Sequence, residues 1–352
     1  RRGSLRVKNT TVREAGCESC LRRGSLRVKN TTVREAGCEN RGLENQRRID
    51  KGRPSRFQRA RKLIIILEFS AGRNMLRIFL LFCWTSAVLA AEWDCSATSG
   101  VFTLSNDCVV RSQVEGTGIL SLTGVVNASG MLPRVVGGGS NRLFYVGNGG
   151  NLTIRRLNLT GGFVATGALG TTGVGGAIYT KSTLTLVDVV VVNNTADLGG
   201  GLFVVEGTLG AHNTTVGNNK ARYGGGMYIS LRSNLKVTHS RIHDNEVAHH
   251  GGGIYCIDDT ICTLEHTIVQ NNKADGHAGA IMNERATVNV YNSQIKDNWA
   301  MSNGGALYCE HIPVSCIIND TILTHNKAEN GGGMFCKGKD ATCVIVGNTV
   351  FA

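Results

Sequence analysis

The chain has 352 residues, and its 38 Lys and Arg against 26 Asp and Glu give a formal net charge of +12. That charge is confined to the start: residues 1–74 hold 20 basic and 7 acidic residues, a net of +13, while residues 75–352 hold 18 and 19, a net of −1. A near-neutral remainder excludes a nucleic-acid-binding face built on bulk positive charge.

Taken in order, Arg1–Glu18 is repeated without change at Arg22–Glu39. A perfect tandem copy ahead of Met75, the first methionine, predicts that residues 1–74 are a disordered upstream segment foreign to the native protein. Its charge alone would favour nucleic acid or an anionic surface. Residues 75–91 read as a secretory signal peptide: one basic residue, Arg77, an apolar run from Ile78 to Trp84, and Val88 and Ala90 placed for cleavage after Ala90 or Ala91. The run is too short to span a membrane. Residues 92–174 carry strand-like runs at Val101–Leu104, Ile119–Leu122, Leu143–Val146 and Leu152–Leu159, expected as an N-terminal cap and irregular first turns. Gly161 to Gly175 is expected to bulge as a loop.

Residues 175–352 repeat. Gly176, Gly200, Gly225, Gly252, Gly279, Gly305 and Gly332 recur at gaps of 24 to 27 residues. Asparagines follow in step at Asn194, Asn219, Asn245, Asn272, Asn298 and Asn326, each with an aliphatic residue three positions earlier. A fixed period in the twenties predicts a solenoid. Two residues after each glycine stands a large apolar residue (Ile178, Leu202, Met227, Ile254, Ile281, Leu307, Met334), flanked by small and mostly aromatic neighbours, a period of two. That period specifies strands and leaves no room for a helix. The expected fold is all-β, a right-handed parallel β-helix in which aliphatic columns form the core and stacked amides hold a bend. The last turn, from Thr342, stops before its asparagine, so the sequence is expected to be a fragment.

Eight cysteines follow the leader. Cys256, Cys309 and Cys336 each lie four residues after a glycine anchor, and Cys262, Cys316 and Cys343 fall in the next strand's inward column. Their joint presence predicts bridges within a turn, Cys256–Cys262, Cys309–Cys316 and Cys336–Cys343, leaving Cys95–Cys108. A zinc site is not expected, because it needs ligands converging on one point. Glycosylation sequons stand at Asn127, Asn151, Asn158, Asn193, Asn213 and Asn319.

The combination Gly175-Gly176-Ala177-Ile178, its relative Gly304-Gly305-Ala306-Leu307, and an apolar-x-x-Asn step in each turn resembles the repeats of the polymorphic outer membrane proteins, within the pectin-lyase-like β-helix class. The resemblance covers about Asn151 to Ala352. It departs where Val, Ile or Leu replaces the family's phenylalanine before the asparagine, and no C-terminal barrel is present. It implies an exported surface adhesin on the one hand, and polysaccharide lyases, hydrolases or epimerases on the other.

Any chemistry would reside in the polar columns. Asp188, Asn213, His239, His266, Asn292 and Asp320 recur before each asparagine and read as bends. Catalytic candidates are His250, His277, Asp275, Asp258 and Asp259, with Asp258 and Asp259 in a tight turn and the histidines as surface residues. Three residues after the anchors, Tyr179, Phe203, Tyr228, Tyr255, Tyr308 and Phe335 form a column opposite in parity to the core, a strip for stacking sugar rings if it is exposed. An enzyme should interrupt the repeat with carboxylates and a Lys or Arg on one strand face, and the polar columns appear repetitive. The expectation is a secreted or cell-surface noncatalytic protein that binds a glycan or an extracellular surface protein, without cofactor. The alternatives are an enzyme on acidic cell-wall or matrix polysaccharide, using calcium if a lyase, and a structural spacer.

Overall fold

The computed structural model describes residues 94–352 except 117, 128, 165–172 and 339–340, together with the strands Thr10–Glu14, Thr31–Glu35, Ile65–Ala71, Asn74–Phe79 and Ala91–Glu92. Two compact units result, Arg1–Leu89 and Ala90–Ala352. In the first, the segment expected to be disordered contains three strands, which form one sheet with a fourth, Asn74–Phe79, at the start of the expected leader. The two tandem copies pair in parallel register, Thr10 with Thr31 through Glu14 with Glu35, and β-branched Thr-Thr-Val favours that extended form. The proposed cleavage point and most of the leader lie outside the described residues, as does most of the Gly161–Gly175 loop.

The second unit is a parallel β-solenoid of about nine turns, built from sheets of ten, nine and eleven strands. Each turn contributes one strand to each sheet. In one turn these are Arg241–His243, Ile254–Ile257 and Ile261–Glu265. Among the described residues there is no helix. Register is kept through the stack: Ile254 pairs with Met227 before it and Ile281 after it. Turns expected to be irregular join the same sheets, since Cys108–Val110, Val114–Gly116 and Ile119–Gly124 already make one complete turn.

The alternation read from the sequence has its expected result. Ile178, Leu202, Met227, Ile254, Ile281 and Leu307 are all at 0% exposure, and the aliphatic column from Val191 to Leu323 packs with them in one core. Glycine recurs at the anchors for lack of space: a Cβ on Gly252 would lie 2.3 Å from the Gly279 carbonyl oxygen of the next turn.

The asparagines form a closed ladder. Asn219 Nδ2 donates to Asn245 Oδ1 at 3.0 Å, Asn245 to Asn272 at 2.9 Å and Asn272 to Asn298 at 3.0 Å. Each Oδ1 also accepts the backbone N–H of the preceding asparagine, as from Asn219 to Asn245 at 3.1 Å. Each Nδ2 donates a second bond to a carbonyl, as from Asn245 to Val216 at 3.1 Å. Both acceptor sites and both donors of the buried amide are therefore used.

Three of the expected bridges are present: Cys95–Cys108, Cys256–Cys262 and Cys336–Cys343. The fourth is not. Cys309 and Cys316 are buried thiols, the Cys309 thiol donating a hydrogen bond to Cys316 Sγ in place of a bridge. Asn283 Nδ2 donates to Cys316 Sγ at 3.1 Å, so that sulfur is held as an acceptor.

Replacing Asn245 by alanine strands the Asn219 amide and its backbone N–H in a dry bend. At roughly 1–3 kcal/mol for each buried group left unpaired, the change should lower unfolding free energy by about 3 kcal/mol in urea titration. Asn234→Ala, at an exposed strand position, should cost under about 1 kcal/mol.

Candidate functional site

The aromatic column faces away from the solenoid axis, as its parity predicts, but it is not an open strip. Tyr179, Phe203, Tyr255 and Tyr308 are 2%, 8%, 4% and 1% exposed, and Tyr228 and Phe335 are half-buried. A fourth, smaller sheet, Lys220–Tyr223, Glu246–His250, Lys273–Ala274 and Trp299–Ala300, runs just before the glycine anchors. Val174, Leu198, Tyr223 and Ala278, from this side of the turn, pack against the aromatic column. Beneath them Tyr145, Tyr179, Phe203, Tyr228 and Tyr255 stack face to face with centroids 4.9 to 5.4 Å apart. Arg142 lies over the first two rings as a cation–π contact. Stacked in this way, the column stabilises adjacent strands and offers few ring faces to a sugar.

Two residues further along the same strands the repeat changes character. The column reads Lys181, Val205, Ser230 and Ile257, and then Glu284, Glu310 and Lys337. Glu284 and Glu310 are register partners on adjacent strands, hence about 4.8 Å apart along the stack. Tyr255 donates its hydroxyl to the Glu284 carboxylate, and Arg285 Nη1 adds a contact to Oε1 at 2.8 Å. Lys337 Nζ lies 2.9 Å from Glu310 Oε1, and the Tyr308 hydroxyl bonds the same carboxylate. His311 spans the pair, Nδ1 at 3.4 Å from Glu284 and Nε2 at 3.6 Å from Glu310. Arg285 reaches on to Asp258 Oδ1 at 2.7 Å. The expectation that no carboxylates and cations interrupt the repeat on one face is thus corrected. The signal was legible five residues after each anchor.

Burial raises the Glu310 carboxyl, but the Lys337 ammonium and the Tyr308 hydroxyl more than offset it and leave it below its ordinary value. Burial, and then the hydrogen bonds to Glu284 and Glu310, push the Tyr255 and Tyr308 hydroxyls far up, so both remain donors.

His250 and His277 border this cluster. Their rings stack at 4.7 Å, and His277 stacks on Tyr308 at 4.6 Å. His250 Nδ1 accepts the His277 backbone N–H at 2.9 Å, which fixes the proton on Nε2. The remaining candidates lie apart from the imidazoles. Asp275 pairs with Lys273 at 3.1 Å, and Asp258 and Asp259 occupy the left-handed bend expected of them, at φ 58° and 59°. Asp188, Asn213, His239, His266, Asn292 and Asp320 all have φ between 46° and 56°, a column of bends. Of the sequon asparagines, Asn127, Asn151, Asn193 and Asn213 are exposed, while Asn158 and Asn319 are half-buried.

Residues 138–311 match the family described as a right handed beta helix region. Neither a curated protein nor a solved structure matches the chain. The family match and the parallel stack together support a right-handed β-helix fold.

Burial, with His277 and His249 adding to it, pushes His250 down to about 4, whereas an unfolded histidine titrates near 6.5. Between those values the unfolded chain binds the extra proton, so this group's contribution to stability falls as pH drops from 6.5 towards 4. Half-exposure reduces the effect to about 1 kcal/mol by pH 4.5. Thermal melts should show wild type losing roughly 2–4 °C more than His250→Asn between pH 7 and pH 4.5.

Proposed function

We propose that this β-helix is an exported, noncatalytic protein of the cell surface that binds a glycan, and that the Glu284–Glu310 cluster is its contact face in place of the aromatic column. The observation that carries the reading is the break in the repeat: two carboxylates side by side, each oriented by a tyrosine hydroxyl and flanked by Arg285, His311 and Lys337. Vicinal sugar hydroxyls donate to such carboxylates, while the cations supply hydrogen bonds to ring and substituent oxygens. Export is supported by the leader at residues 75–91 and by three bridges of a kind that persists in oxidising compartments. The likeness to polymorphic outer membrane protein repeats, with their adhesive members, points the same way.

A hydrolase pair needs one carboxyl held protonated near neutral pH. Glu310 is shifted in the opposite direction and is not that acid. The second reading, a lyase on acidic polysaccharide, draws on the neutral imidazoles of His250 and His277, the latter near Lys337, a partner for a uronate carboxylate. Calcium in that reading would have to displace Arg285 and Lys337 from the carboxylate oxygens.

A glycan array run with an ultraviolet lyase assay on pectate and alginate, with and without calcium, separates these readings. Glycan binding without turnover is expected. Glu284→Gln with Glu310→Gln should weaken it about tenfold or more, the loss of one to two charge-assisted hydrogen bonds. Tyr179→Phe should leave it unchanged. Turnover would replace the binding reading by the lyase one, and neither binding nor turnover from folded protein would leave the spacer.

A further inference from the structure

The interior of the last turns holds a second grouping, unrelated to the outer face. Cys309 pairs in register with Cys336 and Cys316 with Cys343, so two Cys-bearing turns lie directly on one another. The Sγ atoms of Cys309, Cys316 and Cys343 all lie within 4.8 Å of one another. Cysteines of separate turns therefore do converge, against expectation. Cys343 is bridged to Cys336, whereas Cys309 and Cys316 are thiols at 0% exposure. The turn bearing Asn283 and Val288 separates this group from the Cys256–Cys262 bridge. A buried dithiol thus lies against the disulfide of the next turn, in which Cys343 is half-buried and Cys336 exposed.

We propose that Cys309, Cys316, Cys336 and Cys343 form an intramolecular thiol–disulfide exchange centre that passes a bridge between two stacked turns. In the first step the Cys316 thiolate attacks Cys343 Sγ. A Cys316–Cys343 bond forms, the Cys336–Cys343 bond breaks, and the Cys336 thiolate leaves and takes up the proton that Cys316 gave up. In the second step the Cys309 thiolate attacks Cys316 Sγ and expels Cys343 as a thiolate, which takes the Cys309 proton. The products are a Cys309–Cys316 bridge and a Cys336/Cys343 dithiol. Two thiols and one disulfide enter and leave, so no outside oxidant or reductant is consumed.

The order of attack follows from the donors around the sulfurs. Cys316 Sγ receives hydrogen bonds from the Cys309 thiol and from Asn283 Nδ2 at 3.1 Å, and these hold its thiol below the ordinary value against the opposing effect of burial. Cys309, the donor in that pair and itself buried, is pushed up. Cys316 is therefore the first nucleophile and Cys309 the resolving thiol. Burial also explains why a relay serves this pair: external disulfides have no access to it, and the neighbouring turn is its route to oxidation.

The test is a bridge map of the full chain incubated at pH 8 without reductant, quenched in acid, alkylated in denaturant and analysed by peptide mass spectrometry. Wild type should gain a Cys309–Cys316 bridge over time, matched by free Cys336 and Cys343. Cys309→Ser should accumulate the Cys316–Cys343 bridge, and Cys316→Ser should retain Cys336–Cys343 alone. Asn283→Ala, with every sulfur in place, should slow the wild-type exchange about tenfold by raising the Cys316 thiol. An unchanged Cys336–Cys343 bridge in Cys309→Ser would overturn the proposal. So would wild type isolated with both pairs already bridged and no thiol to exchange. If Cys309→Ser does not fold, an unchanging wild-type map, or equal rates in wild type and Asn283→Ala, decides against it.

Discussion

Every turn of this solenoid must return its bend to the same place, and the asparagine ladder is the interaction that enforces it. A side-chain amide in a dry bend has two donors and two acceptor sites to satisfy, and leaving any of them empty costs free energy. Here an amide such as that of Asn245 is satisfied by the asparagines one turn before and one turn on, together with a carbonyl of an earlier turn. A shift of one residue in any turn would unpair two amides at once. The same shift would also turn that turn's aliphatic residues outward, because strand side chains alternate. Polar satisfaction at the bend and apolar burial in the core therefore specify one register, and the glycine anchors permit it by letting successive backbones come within contact distance.

This double specification explains which parts were legible in the sequence. A stacked column repeats its residue type at the solenoid period, so the core, the ladder and the bends could be read from spacing alone, and Asn194 through Asn326 occupy the positions assigned to them. Direction was legible as well: the parity that placed Tyr179 and Tyr255 opposite the core is the parity observed. Exposure was not, since the cover comes from the stretch just before each anchor, where strands are of two to five residues with a register shift between Ala221 and Tyr223, too short and irregular to show as a period. Solvent access to a column depends on its neighbours in the turn, and its own sequence does not record them.

The misread cysteines show the same limit. Joint presence in a turn indicated that Cys309 and Cys316 face one another, and they do. It did not indicate what else faces them. Asn283 from one side and Cys343 from the other compete for the same sulfur. Pairing inferred one turn at a time omits the vertical neighbours, which in a parallel stack are as close as the horizontal ones.

Both groupings that depart from the repeat occupy the same few turns, the carboxylates outside and the thiols within, and the architecture allows this. In a solenoid each turn touches only the turns beside it, so a substitution is felt over one or two neighbours and the remaining stack is unchanged. Strand alternation then isolates the two faces: Glu284 points out and Asn283 in, although they are adjacent in the chain. A single strand can consequently contribute to a polar surface and to an interior sulfur cluster without either constraining the other. The regular turns from Gly175 to Tyr255 supply the rigidity, and the turns from Gly279 onward, where the columns change residue type, are the place where a function can be acquired at small cost to the fold.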